Sequence, residues 1–282
     1  MTRAYQDPAI IAAVWQAVHA RIPQPDPRSH PLGCHRRRVS DFVCFKGIWM
    51  RLIDGSSWVD IEAKLGCAVS DTTLRARRDE WIDAGVFDQI EAEAIEAYDR
   101  IIGLDLSVVA ADGSLHKAPC GGEATGKSPV DRAKLGWKWS VAVDANGIPI
   151  GAALGGANTH DLKLLEPMLD AISRAGLDRD IELLCLDRGY DYPKTRRQLN
   201  ERGYAELDIQ RRGTKPPPGT PHRLTLGLRW IVEAANSWLS NYGQLRRNTD
   251  RKLTCRLAAY QLAVAILITT RLVDHRNRWQ TR

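Results

Sequence analysis

The stretch DLSVVAADGS, residues 105–114, decides how the chain is read. Val108 to Ala111 form a short apolar run, and Asp112 then hands over to Gly113 and Ser114. That is the signature of a strand that closes on a carboxylate. Downstream, WKWSVAVDA (137–145) is a second strand rich in Val and Trp, followed by Asn146–Gly147, a strong two-residue hairpin signal. IPIGAALGG (148–156) supplies the third strand. HDLKLLEPMLDAISRAG (160–176) switches period and sets Leu165, Met168, Leu169 and Ile172 on one helical stripe. IELLCLD (181–187) is continuously apolar, as in a strand buried on both faces, and it too closes on an acid, Asp187. A helix near YPKTRRQLNERG (192–203) and a strand YAELDIQ (204–210) complete the series. Three antiparallel strands, then helix, strand, helix, strand and further helices fit a mixed α/β sheet flanked by helices.

The residues before this sheet have helical character. DPAIIAAVWQAVHARI opens on Asp7 with Pro8 in its first turn, and SDFVCFKGIWMRLIDG has Ser40 or Asp41 as cap and Gly55 as stop. SWVDIEAKLG and SDTTLRARRDEWIDAG follow, giving a short helix, a Gly-containing turn and a helix that carries Arg75, Arg77 and Arg78. Residues 57–85 therefore have a helix-turn-helix outline, with a plain helical bundle as the other reading. We expect two domains, a helical 1–100 and a sheet-bearing 101–282. A chain of 282 residues, 44% hydrophobic and 26% charged, can build both cores.

The net charge of +6 is modest, but Arg211–Arg256 alone holds ten basic residues and two acids, a net +8. Such a concentration suits a polyanionic partner, most simply nucleic acid, although a solvated basic face has the same composition. Six cysteines occur without a C-x-x-C pair, which argues against a zinc site and for a reducing cytoplasm. The N-terminal segment lacks the pattern of a signal peptide. LAAYQLAVAILITT (257–270) is shorter than the roughly 18–20 residues that cross a bilayer, so we expect a buried core helix.

GGEATGKS (121–128) satisfies the spacing of a phosphate-cradling P-loop. A P-loop joins the end of a buried strand to the first turn of a helix. Here eight polar or small residues separate Asp112 from Gly121, and Pro129 follows Ser128 without any helical repeat. We therefore expect no ATP site.

Asp112 and Asp187 each close a strand, where α/β sheets form their ligand crevices. On neighbouring strands the two carboxylates would repel unless a cation lay between them. Mg²⁺, a hard ion that takes one or two carboxylates together with phosphate oxygens, suits such a pair. A third acid, Glu233 in LRWIVEAANSWLSNY, lies opposite the apolar face formed by Ile231, Ala234, Ala235, Trp238 and Tyr242, beside Arg229 and Ser240.

Over most of its length the chain resembles bacterial insertion-sequence transposases of the DDE type, closest to the insertion-sequence-five group. The resemblance runs through VVAADGS, GKSPVDRAKLGWKWSVAVDANGIPI, ANTHD, LCLDRGYD and RWIVEAANSWLSNYGQLRR. It implies a ribonuclease-H-like catalytic domain with Asp112, Asp187 and Glu233 as catalytic and metal-binding acids. Two Mg²⁺ ions are implied, with Mn²⁺ able to substitute. The related insertion-sequence-four signature (Tyr, two residues, Arg, three residues, Glu, six residues, Lys) is met at Arg229 and Glu233. Its Tyr position is Leu226 and its Lys position is Ser240, so Arg246 or Arg247 would have to supply the last phosphate contact. Lys127, Arg132, Lys134, Lys138 and Arg229 are implied to meet DNA phosphates, with Arg75 and Arg77 reading DNA from the helical part. The implied partners are the element's inverted repeats and target DNA, engaged by a homodimer in the bacterial cytoplasm at the nucleoid. Two other classes fit parts of the sequence: a metal-dependent structure-specific nuclease, and a non-catalytic DNA-binding regulator.

Overall fold

The computed structural model describes residues 6–24, 38–209 and 227–280. Arg211, Arg212, Lys215, Arg223 and Leu226 lie outside them, as do Cys34 and most of the Pro-rich segment 23–38. The chain forms two compact units, one of Met1–Ala97 with Asn241–Arg282 and the other of Tyr98–Ser240.

In the second unit, β1 (Val109–Lys117), β2 (Gly126–Lys127), β3 (Leu135–Val143), β4 (Pro149–Gly156), β5 (Leu183–Leu186) and β6 (Glu206–Ile209) make one mixed sheet. β3 runs antiparallel to β1 along one edge and carries β4 and the two-residue β2 along the other. β5 lies parallel to β1, and β6 parallel to β5. The expected hairpin forms at Asn146–Gly147, where Gly147 takes φ +80° and so needs no Cβ. Asp144 fixes this turn by accepting bonds from the backbone N–H groups of Asn146 and Ile148.

Strand alternation sorts the sheet into two faces. Val109, Ala111, Ala142, Leu184 and Leu186 pack with Leu164, Leu165, Met168, Leu169 and Ile172 of α6 (Asp161–Arg174). The other face meets α8 (Trp230–Leu239), which buries Ile231, Val232, Ala235 and Leu239. Trp139 donates its indole N–H to Asn236 at 2.7 Å across that contact, satisfying two buried polar groups at once. α7 (Pro193–Glu201) bridges β5 and β6.

The helical unit contains α1 (Pro8–His19), α2 (Asp41–Asp54), α3 (Trp58–Lys64), α4 (Asp71–Asp83), most of α5 (Val86–Ile101), α9 (Gly243–Arg246) and α10 (Leu253–Gln280). α3 opens on a capping box: Ser57 accepts from Asp60 N–H, and Asp60 accepts from Ser57 N–H. Gly66 and Cys67, both in the left-handed region, turn the chain towards α4.

Two sequence expectations change here. The last 42 residues, Asn241–Arg282, belong to the helical unit, so the sheet unit as a compact body ends at Ser240. The physical reason is α10, which buries Tyr260, Leu262, Ala263, Val264, Ile266 and Ile268 among helices. That helix is also longer than expected. By length and composition it could cross a membrane, but 72% of its apolar window is buried inside the protein. It is apolar all round because neighbours surround it.

Candidate active site

Asp112 does not close β1, as the apolar run suggested. It is the fourth of nine strand residues, because pairing with β3 continues to Lys117 opposite Gly136. Its position beside β5 is nonetheless the expected one. The last parallel pair is Ala111–Leu186, and Asp112 and Asp187 follow it on their respective strands. Alternation turns both away from the α6 core, towards α8. Asp187 ends its strand and caps a single turn, Arg188–Tyr190, accepting from Arg188 N–H at 2.6 Å.

Arg229 sits between the two acids. It closes the short turn Gly227–Arg229, which packs on β1 and β5 and leads into α8. Its Nη2 donates to Asp112 Oδ2 at 2.7 Å and its Nη1 to Asp187 Oδ1 at 3.3 Å. The guanidinium side chain is 9% exposed, against 18% for Asp112 and 40% for Asp187. Glu233, exposed one turn into α8, lies within hydrogen-bonding reach of Asp112. Burial pushes the Asp112 carboxyl up to about 6; Arg229 and the Gly113 N–H oppose that rise, and Glu233 adds to it. Three acids and one arginine thus converge at one edge of β1. Among the described residues no group of three or more His, Cys, Asp or Glu is gathered as a ready-made metal cluster. The donor chemistry still suits a hard divalent ion, since two carboxylates already direct oxygens at one shared cationic group.

The basic residues divide. Lys127, Arg132 and Lys134 are exposed on β2 and the loop that follows. Lys138 is not with them. It points to the α6 face, is 6% exposed, and donates to Asp161 at 2.8 Å. Gly113 makes room for that pair: a Cβ there would stand 2.9 Å from Asp161 Oδ1. Asp161 therefore neutralises Lys138, while His160 caps α6 by accepting from Leu162 N–H. Arg77 is likewise internal, 5% exposed, bonded to Asp41 and to the Val39 carbonyl, and so is not presented to DNA. Arg75, two residues earlier on another face of α4, is half-exposed and pairs with Asp71. Arg246 and Arg247 are exposed in and after α9. Asp191 pairs with Arg196.

GGEATGKS takes a structure quite unlike a P-loop. Gly126–Lys127 is a strand on the edge of β3, and no helix follows Ser128, whose hydroxyl accepts from Val130 and Asp131 N–H. Sequence reasoning missed Arg229's position between the aspartates. The signal available was its place one helical turn before Glu233.

The sequence model of the family called Transposase DDE domain matches residues 103–268. The inferred transposase of insertion sequence element IS402 from Burkholderia cepacia is 35% identical over 149 residues, 51% of this chain and 67% of that protein. An uncharacterised 16.2 kDa protein of the IS402 insertion element is 30% identical over 122 residues, 43% of this chain and 82% of that protein. Among solved structures, the Mos1 transposase paired-end complex with left transposon end superposes with a TM-score of 0.28 at 12% identity, covering 91% of this chain and 84% of that one. The Mos1 strand transfer complex gives 0.29 at 14% identity, with 86% and 79% covered. Likeness at that level is too loose to carry conclusions.

Proposed function

The chain belongs to the Transposase DDE domain family and is a DNA transposase, an enzyme of DNA cleavage and strand transfer, and we propose that Asp112, Asp187 and Glu233 are its catalytic acids. The observation that carries this reading is that Asp112 and Asp187 share Arg229 while Glu233 lies within reach of Asp112. The sheet order β4-β3-β1-β5-β6, three antiparallel strands followed by two parallel ones, supports a ribonuclease-H-like catalytic unit. The element belongs, on this reading, to the insertion-sequence-five group.

Asp112, Asp187 and Glu233 would hold Mg²⁺, or Mn²⁺ in its place. When bound, such ions lower the pKa of water or a 3′-hydroxyl and offset charge on the phosphate and leaving oxygen. The protein's own contribution is positioning. Parallel pairing of β1 with β5 fixes the spacing of two carboxylates, and α8 brings the third against Asp112. Hydrolysis adds water across a phosphodiester and leaves a 3′-hydroxyl at the element's end. That hydroxyl then displaces a bridging oxygen of target DNA, so one phosphodiester is exchanged for another and no nucleotide triphosphate is consumed.

Lys127, Arg132, Lys134, Arg246 and Arg247 supply phosphate contacts in this reading, and α3–α4, a helix-turn-helix with Arg75 exposed, reads the inverted repeats. A homodimer would hold both ends, in the bacterial cytoplasm at the nucleoid. The test is incubation of the full chain with linear duplex bearing the element's ends, in Mg²⁺. Free 3′-hydroxyl ends and joined products are expected, and both should vanish in Asp112→Asn. Cleavage without any joining would assign the chain to the structure-specific nucleases instead.

A further inference from the structure

We infer that Arg229 is a displaceable clasp, one that holds Asp112 and Asp187 together, competes with metal for their oxygens, and is drawn off by DNA phosphate. The inference rests on the proposed roles of the two aspartates as metal ligands. Arg229 bonds one oxygen of each acid at 2.7 and 3.3 Å, so a cation coordinating Asp112 Oδ2 and Asp187 Oδ1 would need the oxygens that the guanidinium occupies. Two positive groups cannot share them: at such distances like charges repel strongly, more so away from water. The guanidinium has reason to leave when phosphate arrives. Its Nε is buried without a hydrogen-bond partner, so its present pairing uses its donors incompletely. A phosphate oxygen pair matches the planar fork of arginine as well as a carboxylate does. The side chain springs from the turn Gly227–Arg229, where Gly227 takes φ +56°, and not from the middle of a helix. The consequence is order: DNA first, metal second. Ions would load weakly on the protein alone and well on the DNA complex, which limits cleavage to bound substrate.

The test is Mn²⁺ affinity of the full chain, read by electron paramagnetic resonance of free Mn²⁺, with and without a generic 30-base-pair duplex. Wild type should bind Mn²⁺ weakly alone and about tenfold or more tightly with duplex, measured above the binding of duplex by itself. Arg229→Gln should bind Mn²⁺ about tenfold more tightly than wild type without DNA, and gain little when duplex is added. Arg229→Lys keeps the charge without the fork and should fall between the two; it also serves if Arg229→Gln does not fold. Unchanged DNA-free affinity in a folded Arg229 variant would overturn the clasp. The Asp112→Asn/Asp187→Asn protein separates the two readings. Mn²⁺ binding that survives this pair would mean the acids are not the ligands. Binding lost there but indifferent to Arg229 would overturn the clasp alone.

Discussion

Asp112 and Asp187 stand side by side because β1 and β5 run parallel, each acid following the last backbone pair, Ala111–Leu186. Neither position can be replaced by a neighbour, since a shift of one residue turns the side chain into the α6 core. Single Asn substitutions at Asp112 or Asp187, and Gln at Glu233, should therefore each remove cleavage and joining to below about a thousandth of wild type. Duplex binding in EDTA should persist or tighten, because each change removes one negative charge facing phosphate. Electrophoretic mobility shifts beside a cleavage assay check both halves. A Glu233→Gln enzyme that cleaves at the wild-type rate would assign the third acid elsewhere.

Lys138 and Lys127 should behave oppositely despite their identical chemistry. Lys127 and Lys134 are exposed, and each should lower the slope of log K against log salt by about one when changed to Ala. Lys138 is buried against Asp161 and should leave that slope unchanged. Its removal shows in stability instead. Asp161→Asn strands a buried ammonium and should cost about 1–3 kcal/mol, moderated because Asp161 itself is 46% exposed. Adding Lys138→Met should recover much of that loss. Salt titrations and denaturant melts on the same variants separate the two kinds of lysine.

Those residues also mark how far the sequence could be read. Element type was legible wherever periodicity was clean: the β3–β4 hairpin, the α6 stripe and the apolar β5 stand where IPIGAALGG, HDLKLLEPMLDAISRAG and IELLCLD put them. The extent of β1 was not legible, because GSLHK is polar and only its pairing with WKW keeps it a strand. Which face a basic residue takes depends on register, so Lys138 could not be told from Lys134 without strand alternation. The same holds for Arg77 and Arg75, where only packing tells which of two nearby arginines of α4 turns inward against Asp41. The wheel set Glu233 opposite Ile231, Ala234, Ala235, Trp238 and Tyr242, whereas α8 buries Ile231, Val232, Ala235, Asn236 and Leu239. The reach of Glu233 to Asp112 was therefore not legible without knowing how α8 crosses the sheet.

In the helical unit, Asp250 is the buried anion to which Arg51 and Arg78 donate at 3.3 and 2.9 Å, with Gln244 at 2.5 Å. Both guanidinium groups also lie over the Trp58 ring, at 4.6 and 5.2 Å. Asp250→Asn leaves two buried cations sharing a neutral group and should destabilise the protein by about 3–5 kcal/mol. Burial favours the neutral acid, but Arg51 and Arg78 outweigh it and hold Asp250 below its ordinary range. A depressed acid stabilises the fold above its unfolded pKa, so this contribution is present at neutral pH. It is lost as pH falls through and below about 4. Wild type should lose stability there and Asp250→Asn should not. Parallel acid losses in the two proteins would show that Asp250 is not the group responsible.

His116 carries the corresponding sensitivity of the sheet unit, in a different window. Its ring stacks on Trp139 at 3.7 Å between centroids, and its Nε2 lies 2.8 Å from the Ser114 hydroxyl. Burial lowers its pKa to about 3, so the folded state holds a neutral imidazole. The unfolded chain binds the proton with an ordinary pKa near 6.5. Between these values the unfolded state carries more protons, and stability falls as pH falls. The loss begins near pH 6.5 and reaches about 2–4 kcal/mol by pH 4. His116→Phe keeps a flat ring against Trp139 but cannot take a proton. It should match wild type near pH 7 and lack the loss that wild type shows as pH falls from 6.5 to 4. Thermal melts of both proteins across that range, in EDTA, check the sign directly. Parallel pH profiles of the two proteins between pH 4 and 6.5 would mean that His116 takes its proton in the fold as it does in the unfolded chain.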